Sequence, residues 1–244
     1  VVDDIVVVGA EPLFMTDYIA CGKVVPERIA DIVRGVAEAC RVAGTALVGG
    51  ETAEHPGLLG EDEYDIAGAV TGVVEADEML GPERVRDGDA LIGLGASGLH
   101  SNGYSLVRSV IAHAGWGLDR HVPEFGRTLG EELLEPTKVY ASACLGVEPE
   151  QPDVVVAAGG DVHAYTHVTG GGLAANLARV IPAGLTAIVR RDSWVIPPVF
   201  ATIQQLGNVP WDDLEGTLNL GVGMVAIVPA EATDRVRRRA RELG

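Results

Sequence analysis

Three short glycine-rich segments of the chain each carry a polar side chain that can take part in a reaction. They are Gly49–Thr52 with Glu51, Gly98–Ser105 with His100, and His167–Gly172. Each follows an apolar run and leads into a turn or helix, where free backbone amides can converge on an anion. Three such segments in one chain indicate a phosphorylated small ligand or a nucleotide, and the alternative is that the glycines only permit turns. No segment has the Walker or Rossmann spacing.

Two of the six histidines, His100 and His167, lie inside these segments. An imidazole in such a position can act as a general acid–base near neutral pH, or it can donate a hydrogen bond to a developing oxyanion. A structural role is the alternative for each. Ser97 and Ser101 lie nearby, but no GxSxG elbow surrounds either, so the sequence does not favour a serine hydrolase.

Four acidic residues in the first third of the chain offer oxygen ligands for a cation: Asp4, Asp17, Glu51 and Glu54. Magnesium usually binds one or two carboxylates together with phosphate oxygens and water. Asp4 and Glu51 are favoured, since a carboxylate within or at the end of an apolar strand needs a partner. The alternative is that these acids are structural.

The apolar periodicity predicts an α+β protein with two lobes, residues 1–80 and 81–244, separated by a turn-rich stretch at 76–88. The expected helices are one from Pro26 that ends at Gly44, one through Leu106–Ile111, Leu129–Leu134, Val139–Leu145, one from the third glycine segment to Ile181, Val199–Leu206 and a closing helix. The expected strands are Val2–Val8, Leu13–Ala20, Ala46–Val48, Asp65–Val74, Ala90–Leu94, Val154–Ala157, Leu185–Val189 and Leu218–Val228.

Composition excludes several classes of protein. The chain has 244 residues, 47% of them hydrophobic, and a formal net charge of −17, which argues against a nucleic-acid binder. No apolar run is long enough for a membrane span, and three scattered cysteines predict a reducing cytoplasm rather than a disulfide framework. The first residue is Val and stands within an expected strand, so we expect a preceding segment to be missing from this chain.

The chain resembles the phosphoribosylformylglycinamidine cyclo-ligase (aminoimidazole ribonucleotide synthetase) family over essentially all of its length. The motifs that carry the resemblance are, in chain order, Gly9–Phe14 (GAEPLF) with Asp17 and Tyr18, Gly49–Glu54 (GGETAE), Gly98–Ser105 (GLHSNGYS), Pro136–Tyr140 (PTKVY), His167–Gly172 (HVTGGG) and Asn219–Met224 (NLGVGM).

The resemblance implies an ATP-dependent ring closure in purine biosynthesis. ATP phosphorylates the formyl oxygen of formylglycinamidine ribonucleotide, the amidine nitrogen attacks that carbon, and phosphate leaves as the imidazole ring forms. The implied fold has two lobes of mixed or antiparallel sheet flanked by helices, and the implied assembly is a homodimer built on a barrel-like interface of the first lobe. ATP and Mg²⁺ are the implied cosubstrate and cofactor, with no nucleic-acid or membrane partner.

Combined with the resemblance, the sequence predicts one shared site. The catalytic residues are His100, His167 and Asp4; Asp17 and Glu51 bind the nucleotide, and Asp4 and Glu51 hold the metal. The residues expected to bind substrate or phosphate are Gly50, Thr52, Gly98, Ser101, Asn102, Thr169, Gly170, Gly171 and Gly172.

Two departures from the family's pattern leave other functions open. The family has an N-terminal stretch with a glycine-rich, lysine-containing loop that this chain lacks, and it has Asn where this chain has Asp3. The alternatives are therefore a sister ATP-dependent phosphotransferase of the same superfamily, or an inactive fragment that serves as an interaction module.

Overall fold

The computed structural model describes residues 1–145 and 162–242, which form two compact units. The first contains residues 1–79 and 139–145, and the second contains residues 80–138 and 162–242. The helices are α1 (Val2–Val6), α2 (Pro26–Ala43), α3 (Tyr104–Ala114), α4 (Leu129–Leu133), α5 (Ala141–Leu145), α6 (Gly172–Leu177), α7 (Pro198–Gly207), α8 (Trp211–Glu215) and α9 (Thr233–Glu242). The strands are β1 (Glu11–Cys21), β2 (Ala46–Glu54), β3 (Tyr64–Val73), β4 (Ala90–Gly95), β5 (His121–Val122), β6 (Arg127–Thr128), β7 (Ala164–His167) and β8 (Val222–Val228).

The first unit is built on a three-stranded mixed sheet of order β2-β1-β3. The central strand β1 runs parallel to β2 and antiparallel to β3. The long helix α2 begins with Pro26 in its first turn and ends at Gly44, which has a φ of 69° and so provides a left-handed C-cap. The parallel register places Asp17 opposite Gly50, and therefore brings the Asp17 carboxylate beside the glycine-rich segment Gly49–Thr52.

The prediction of a strand at Val2–Val8 is wrong, because these residues form the short helix α1 and a following turn. Val6 and Asp3 are buried, and the Asp3 carboxylate accepts a hydrogen bond of 2.8 Å from the backbone N–H of Tyr140. Helix α5 packs against α1 and α2. A short apolar run is compatible with either a strand or a buried helix, and here contacts with distant residues select the helix.

The second unit contains an antiparallel sheet of order β4-β8-β7. Every residue of the central strand β8 is buried, which explains its unbroken apolar sequence. A hydrophobic core lies between α3 and α7, and Val107, Phe200 and Ile203 are fully buried in it. The expected α+β class with small mixed and antiparallel sheets is confirmed.

Several expected elements of the second unit have different bounds. Residues 185–189 do not pair as a strand, and Ile188 is 81% exposed. The strand expected at Leu218–Val228 begins only at Val222, because Leu220 and Gly221 have φ values of 49° and 94° and turn the chain. Helix α6 ends at Leu177, short of Ile181. The strand expected at Val154–Ala157 lies outside the described residues.

No helix within residues 1–145 and 162–242 has both the length and the apolar character that a membrane span requires.

Candidate functional site

The sheet of the second unit brings three glycine-containing motifs to one edge. Strands β4 and β7 both run antiparallel to β8, so their carboxyl ends lie at the edge where β8 begins. Gly95 pairs with Val222 and His167 pairs with Met224 at this edge. The segments that follow β4 and β7, and the segment that precedes β8, are therefore neighbours.

His100 is a buried side chain that holds its own loop and a neighbouring segment. Its Nε2 accepts hydrogen bonds from the backbone N–H groups of Ser97, at 2.9 Å, and Lys138, at 3.4 Å. A nitrogen that accepts two N–H groups carries no proton, so the neutral ring is assigned the tautomer with hydrogen on Nδ1. His100 and Ser101 have φ values of 55° and 57°, a left-handed conformation that non-glycine residues rarely adopt.

The same surroundings keep His100 uncharged. Burial, with contributions from the charges of His167 and Lys138, lowers the pKa of His100 from 6.5 to about 4. Protonation of Nε2 would also turn the acceptor of two backbone N–H groups into a donor. At neutral pH His100 is therefore a neutral imidazole that can donate through Nδ1, and it is a poor base.

The segment Pro136–Lys138 packs against the His100 loop through two further contacts. The Ser97 hydroxyl donates to the carbonyl oxygen of Pro136 at 2.6 Å, and the hydroxyls of Ser101 and Thr137 lie 3.2 Å apart. Lys138, which the sequence analysis left without a role, consequently stands beside His100.

The segment Thr169–Gly172 is organised by the buried side chain of Asn176, on helix α6. Its Nδ2 lies 3.3 Å, 3.4 Å and 2.7 Å from the carbonyl oxygens of Thr169, Gly170 and Gly172. Gly172 has a φ of 68°, and a Cβ there would overlap the carbonyl oxygen of Glu215. This position therefore requires glycine for both its backbone conformation and its close approach to another segment.

The two candidate segments of the second unit approach each other directly. A Cβ built on Gly170 would lie 3.8 Å from Oδ1 of Asn102, whose amide donates to the carbonyl oxygen of His100 at 2.6 Å. Buried Asn219 adds a link, since its Nδ2 donates to the Gly98 carbonyl oxygen at 2.9 Å while its Oδ1 accepts from Gly221 N–H at 2.8 Å. The structure thus brings together the predicted residues Gly98, Ser101, Asn102, His100, His167 and Thr169–Gly172.

The predicted residues of the first unit line strands β1 and β2. Gly50 lies opposite Asp17, and a Cβ on Gly50 would overlap the Asp17 carboxylate. Among the described residues, Oδ2 of Asp17 is buried without a hydrogen-bond partner. Glu51 and Thr52 are exposed on β2.

Asp4 was predicted to bind a metal because it was expected in a strand, and that expectation was wrong. Asp4 lies on helix α1 rather than in a strand, and its side chain is 58% exposed, whereas the neighbouring Asp3 is buried. Glu54 has a structural contact, since it accepts a hydrogen bond of 2.6 Å from the backbone N–H of Val24 ahead of α2. A shared site for His100, His167, Asp4 and Glu51 stays a prediction.

Within the part of the chain that the structure describes, no group of three or more His, Cys, Asp or Glu side chains could hold a metal ion by itself. A magnesium ion that takes one or two carboxylates and completes its shell with phosphate oxygens and water does not need such a group.

Four residues that support the site, Thr137, Lys138, Asn176 and Asn219, were missed as site residues by the sequence analysis. Thr137, Lys138 and Asn219 stood inside the PTKVY and NLGVGM motifs, so those motifs were an available signal. Asn176 lies outside every motif, and only its contacts reveal it.

The fold and the site define a member of the AIR synthase related protein family, to which this chain belongs. Residues 1–74 match the model for the "AIR synthase related protein, N-terminal domain", and residues 86–244 match the model for the C-terminal domain.

Within that family, many relatives at 44–49% identity are named phosphoribosylformylglycinamidine cyclo-ligase, and the resemblance is confirmed. The enzyme of Brevibacillus brevis is 46% identical over the whole chain, which covers 68% of that relative. The enzyme of Shouchella clausii is 49% identical over 94% of the chain, which covers 64% of that relative. The enzyme of Pseudothermotoga lettingae is 44% identical over 100% of the chain and 69% of that relative.

Solved structures with the same fold are more distant in sequence. The hydrogenase maturation protein HypE in complex with ATP has a TM-score of 0.61 and 19% identity, covering 99% of this chain and 64% of that one. Thiamine-monophosphate kinase from Stenotrophomonas maltophilia has a TM-score of 0.59 and 19% identity over 99% of this chain and 69% of that one. PurL of T. maritima complexed with AMPPCP has a TM-score of 0.55 and 18% identity, with coverage of 99% and 33%.

Proposed function

We propose that this protein catalyses the ATP-dependent cyclisation of formylglycinamidine ribonucleotide to 5-aminoimidazole ribonucleotide, a step of purine biosynthesis. The observation that carries the proposal is the convergence of the His100 and His167 segments at one edge of the second unit's sheet. Family membership and 44–49% identity to cyclo-ligases supply the reaction.

The two histidines take different roles in this proposal. His100 is neutral and has Nε2 engaged by backbone N–H groups, so it acts as a hydrogen-bond donor to oxygen that becomes negative during cyclisation. His167, half-buried at the end of β7, is the group that carries protons between the reacting atoms.

Phosphate binding falls to the backbone of the two glycine segments. Asn176 holds three carbonyl oxygens of the segment 169–172 on its own side, and the Gly172 N–H donates to the Thr169 carbonyl oxygen at 3.2 Å. The backbone amides of residues 169–171 are the ones that we propose to bind the anion. Gly98, Ser101, Asn102 and Thr169 complete the set of substrate-binding residues in this unit.

The nucleotide and magnesium are proposed to bind the acids of the first unit. Oδ2 of Asp17 is buried and has no hydrogen-bond partner within residues 1–145 and 162–242. It fits a cation or a nucleotide hydroxyl, because a carboxylate oxygen removed from water needs such a partner. Asp4 and Glu51 are exposed carboxylates of the type magnesium binds, and Gly50 and Thr52 lie beside Glu51. Bound magnesium would neutralise charge on the transferred phosphoryl group.

A homodimer in the cytoplasm completes the proposal. The sheet of the first unit exposes apolar side chains, with Phe14 40% exposed and Val48 60% exposed, and a second copy can cover them. Small residues Ala67–Ala69 and Gly72 on β3 permit close packing. The three cysteines are buried and form no disulfide with one another, as expected in a reducing compartment.

The test is ATP consumption with each of three acceptors, formylglycinamidine ribonucleotide, thiamine monophosphate and selenide, with the products identified in each case. ATP consumption with the first alone, with release of phosphate and formation of the imidazole product, supports the cyclo-ligase. Transfer of the phosphoryl group onto thiamine monophosphate or selenide would identify a sister phosphotransferase. The assay is run on this chain and on the longest product of its reading frame, and inactivity of both would favour a non-catalytic module.

A further inference from the structure

Two adjoining cavities lie in the second unit, and none of the residues proposed above to bind substrate, nucleotide or metal is among the described residues that line them. The larger cavity, of about 940 Å³, is bordered by α6, the segment 181–196, the end of α8 and the turn before β8. The smaller cavity, of about 270 Å³, is bordered by β4, β8, α6 and the same segment. Leu173, Leu177, Val189 and Trp194 line both cavities, so the two meet at these residues. The larger volume is within the range of roughly 300–1,000 Å³ that is typical of small-molecule sites.

The larger cavity has an apolar lining with one aromatic wall. The side chains of Leu173 and Trp194 pack against the buried cluster that contains Leu177. The Trp194 ring is held in place, because its Nε1 donates a hydrogen bond to the carbonyl oxygen of Leu220 at 2.9 Å. An indole ring fixed at the wall of an apolar cavity favours a ligand with an aromatic ring, since such a ligand gains stacking in addition to burial.

The charges at the cavities are positive on balance, although the chain as a whole carries a formal net charge of −17. Arg191 and Glu215 both line the larger cavity, and Nη2 of Arg191 forms an ion pair with the Glu215 carboxylate, so these two charges offset each other. Of the described residues that line the smaller cavity, only Arg190 is charged. A cation next to apolar walls favours a ligand that has an apolar body and one anionic group.

We propose that the two cavities form one binding site for an amphipathic aromatic anion, with its ring against Trp194 and its anionic group near Arg190. The proposal does not depend on the proposed cyclisation. The site adjoins the candidate site through the turn before β8, because Asn219 and Leu220 line the larger cavity and Asn219 donates to the Gly98 carbonyl oxygen at 2.9 Å. A ligand in the larger cavity therefore contacts the turn that holds Gly98.

Two fluorescent probes test the site: anilinonaphthalene sulfonate, an aromatic monoanion, and phenylnaphthylamine, which has the same rings and no charge. Each probe is titrated against the folded chain. We expect one saturable site for the sulfonate, with a Kd of about 10–100 µM. Because a ligand that binds only the native state stabilises it, the sulfonate at ten times its Kd should raise the Tm by about 3–6 °C. Absence of saturable binding, or a Tm that does not rise, would overturn the proposal.

Arg190→Gln tests the charge, and Arg179→Gln is the matched control, since Arg179 is also exposed and lines neither cavity. Arg190→Gln should weaken binding of the sulfonate by about 3- to 10-fold and leave binding of the uncharged amine unchanged. Arg179→Gln should bind both probes as wild type does. Equal affinities of wild type and Arg190→Gln for the sulfonate would refute an anionic ligand.

Ala178→Phe tests the location, because it adds a large side chain at the wall of the larger cavity; Ala112→Phe makes the same change at an exposed position of α3 that lines neither cavity. Ala178→Phe should weaken binding of both probes by about tenfold, and Ala112→Phe should not. In NMR spectra of the wild type, the sulfonate should shift the indole N–H resonance of Trp194 and leave those of Trp116 and Trp211 in place. Identical probe affinities in the two phenylalanine variants, or a shift confined to Trp116 or Trp211, would place the probe elsewhere and contradict the proposal.

Discussion

Asn176→Asp tests whether one buried amide shapes the segment 169–172. Asn176 is fully buried, and its Nδ2 faces three carbonyl oxygens, with the shortest distance, 2.7 Å, to Gly172. The aspartate keeps the shape but puts an oxygen where the donor was. Loss of one good and two long hydrogen bonds costs about 1–3 kcal/mol, and a buried carboxylate facing carbonyl oxygens brings the total to about 3–5 kcal/mol at pH 7.

The destabilisation should depend on pH. Carbonyl oxygens and burial raise the pKa of the new carboxyl group above its value in the unfolded chain. The charge-related cost is therefore present at neutral pH and is lost as the pH falls and the group is protonated, leaving about 1–3 kcal/mol from the missing donor.

Urea unfolding followed by tryptophan fluorescence measures this difference. The three tryptophans, Trp116, Trp194 and Trp211, all belong to the second unit, so the signal reports on the unit that contains Asn176. Asn208→Asp, an exposed position with the same charge change, is the matched control and should cost less than about 1 kcal/mol. Equal destabilisation of the two variants at pH 7 would refute the role assigned to the Asn176 amide.

Three further predictions concern backbone and titration. Gly172→Ala should destabilise the second unit by at least about 3 kcal/mol in urea unfolding. Gly184→Ala, also at positive φ but in open space, should cost about 1 kcal/mol. Similar costs for the two variants would show that close approach to another segment does not matter at Gly172. The pKa of His100 is lowered to about 4, so the unfolded chain takes up a proton at a higher pH than the folded protein does. The free energy of unfolding should therefore fall by on the order of 2–3 kcal/mol between pH 6.5 and pH 4. His100→Gln should lack this loss, and a pH dependence identical to that of wild type would contradict the prediction. Asp3→Ala should speed hydrogen exchange of the Tyr140 amide and cost about 1–3 kcal/mol, while Asp3→Asn, which still offers an acceptor, should cost less; unchanged exchange in the alanine variant would contradict the contact.

Local patterns in the sequence were sufficient for elements whose stability is local. Helix α2 was predicted from helical spacing, Pro26 and Gly44, and β8 from an apolar run, because caps and periodicity act over a few residues. The family was also readable from the sequence, since its motifs survive as short contiguous strings.

Tertiary structure decided what depends on distant residues. The sequence of residues 2–8 does not reveal that they form helix α1, or that Asp3 rather than Asp4 is buried. Asp3 accepts its hydrogen bond from the backbone of Tyr140, which is 137 residues away in the chain. The same holds for Asn219 and Gly98, 121 residues apart, and for Lys138, whose backbone N–H donates to the ring of His100 from 38 residues away. The sequence by itself determined which residues can do chemistry, and the packing of β4, β7 and β8 decided which of them meet, because that requires strands from distant parts of the chain to share one edge.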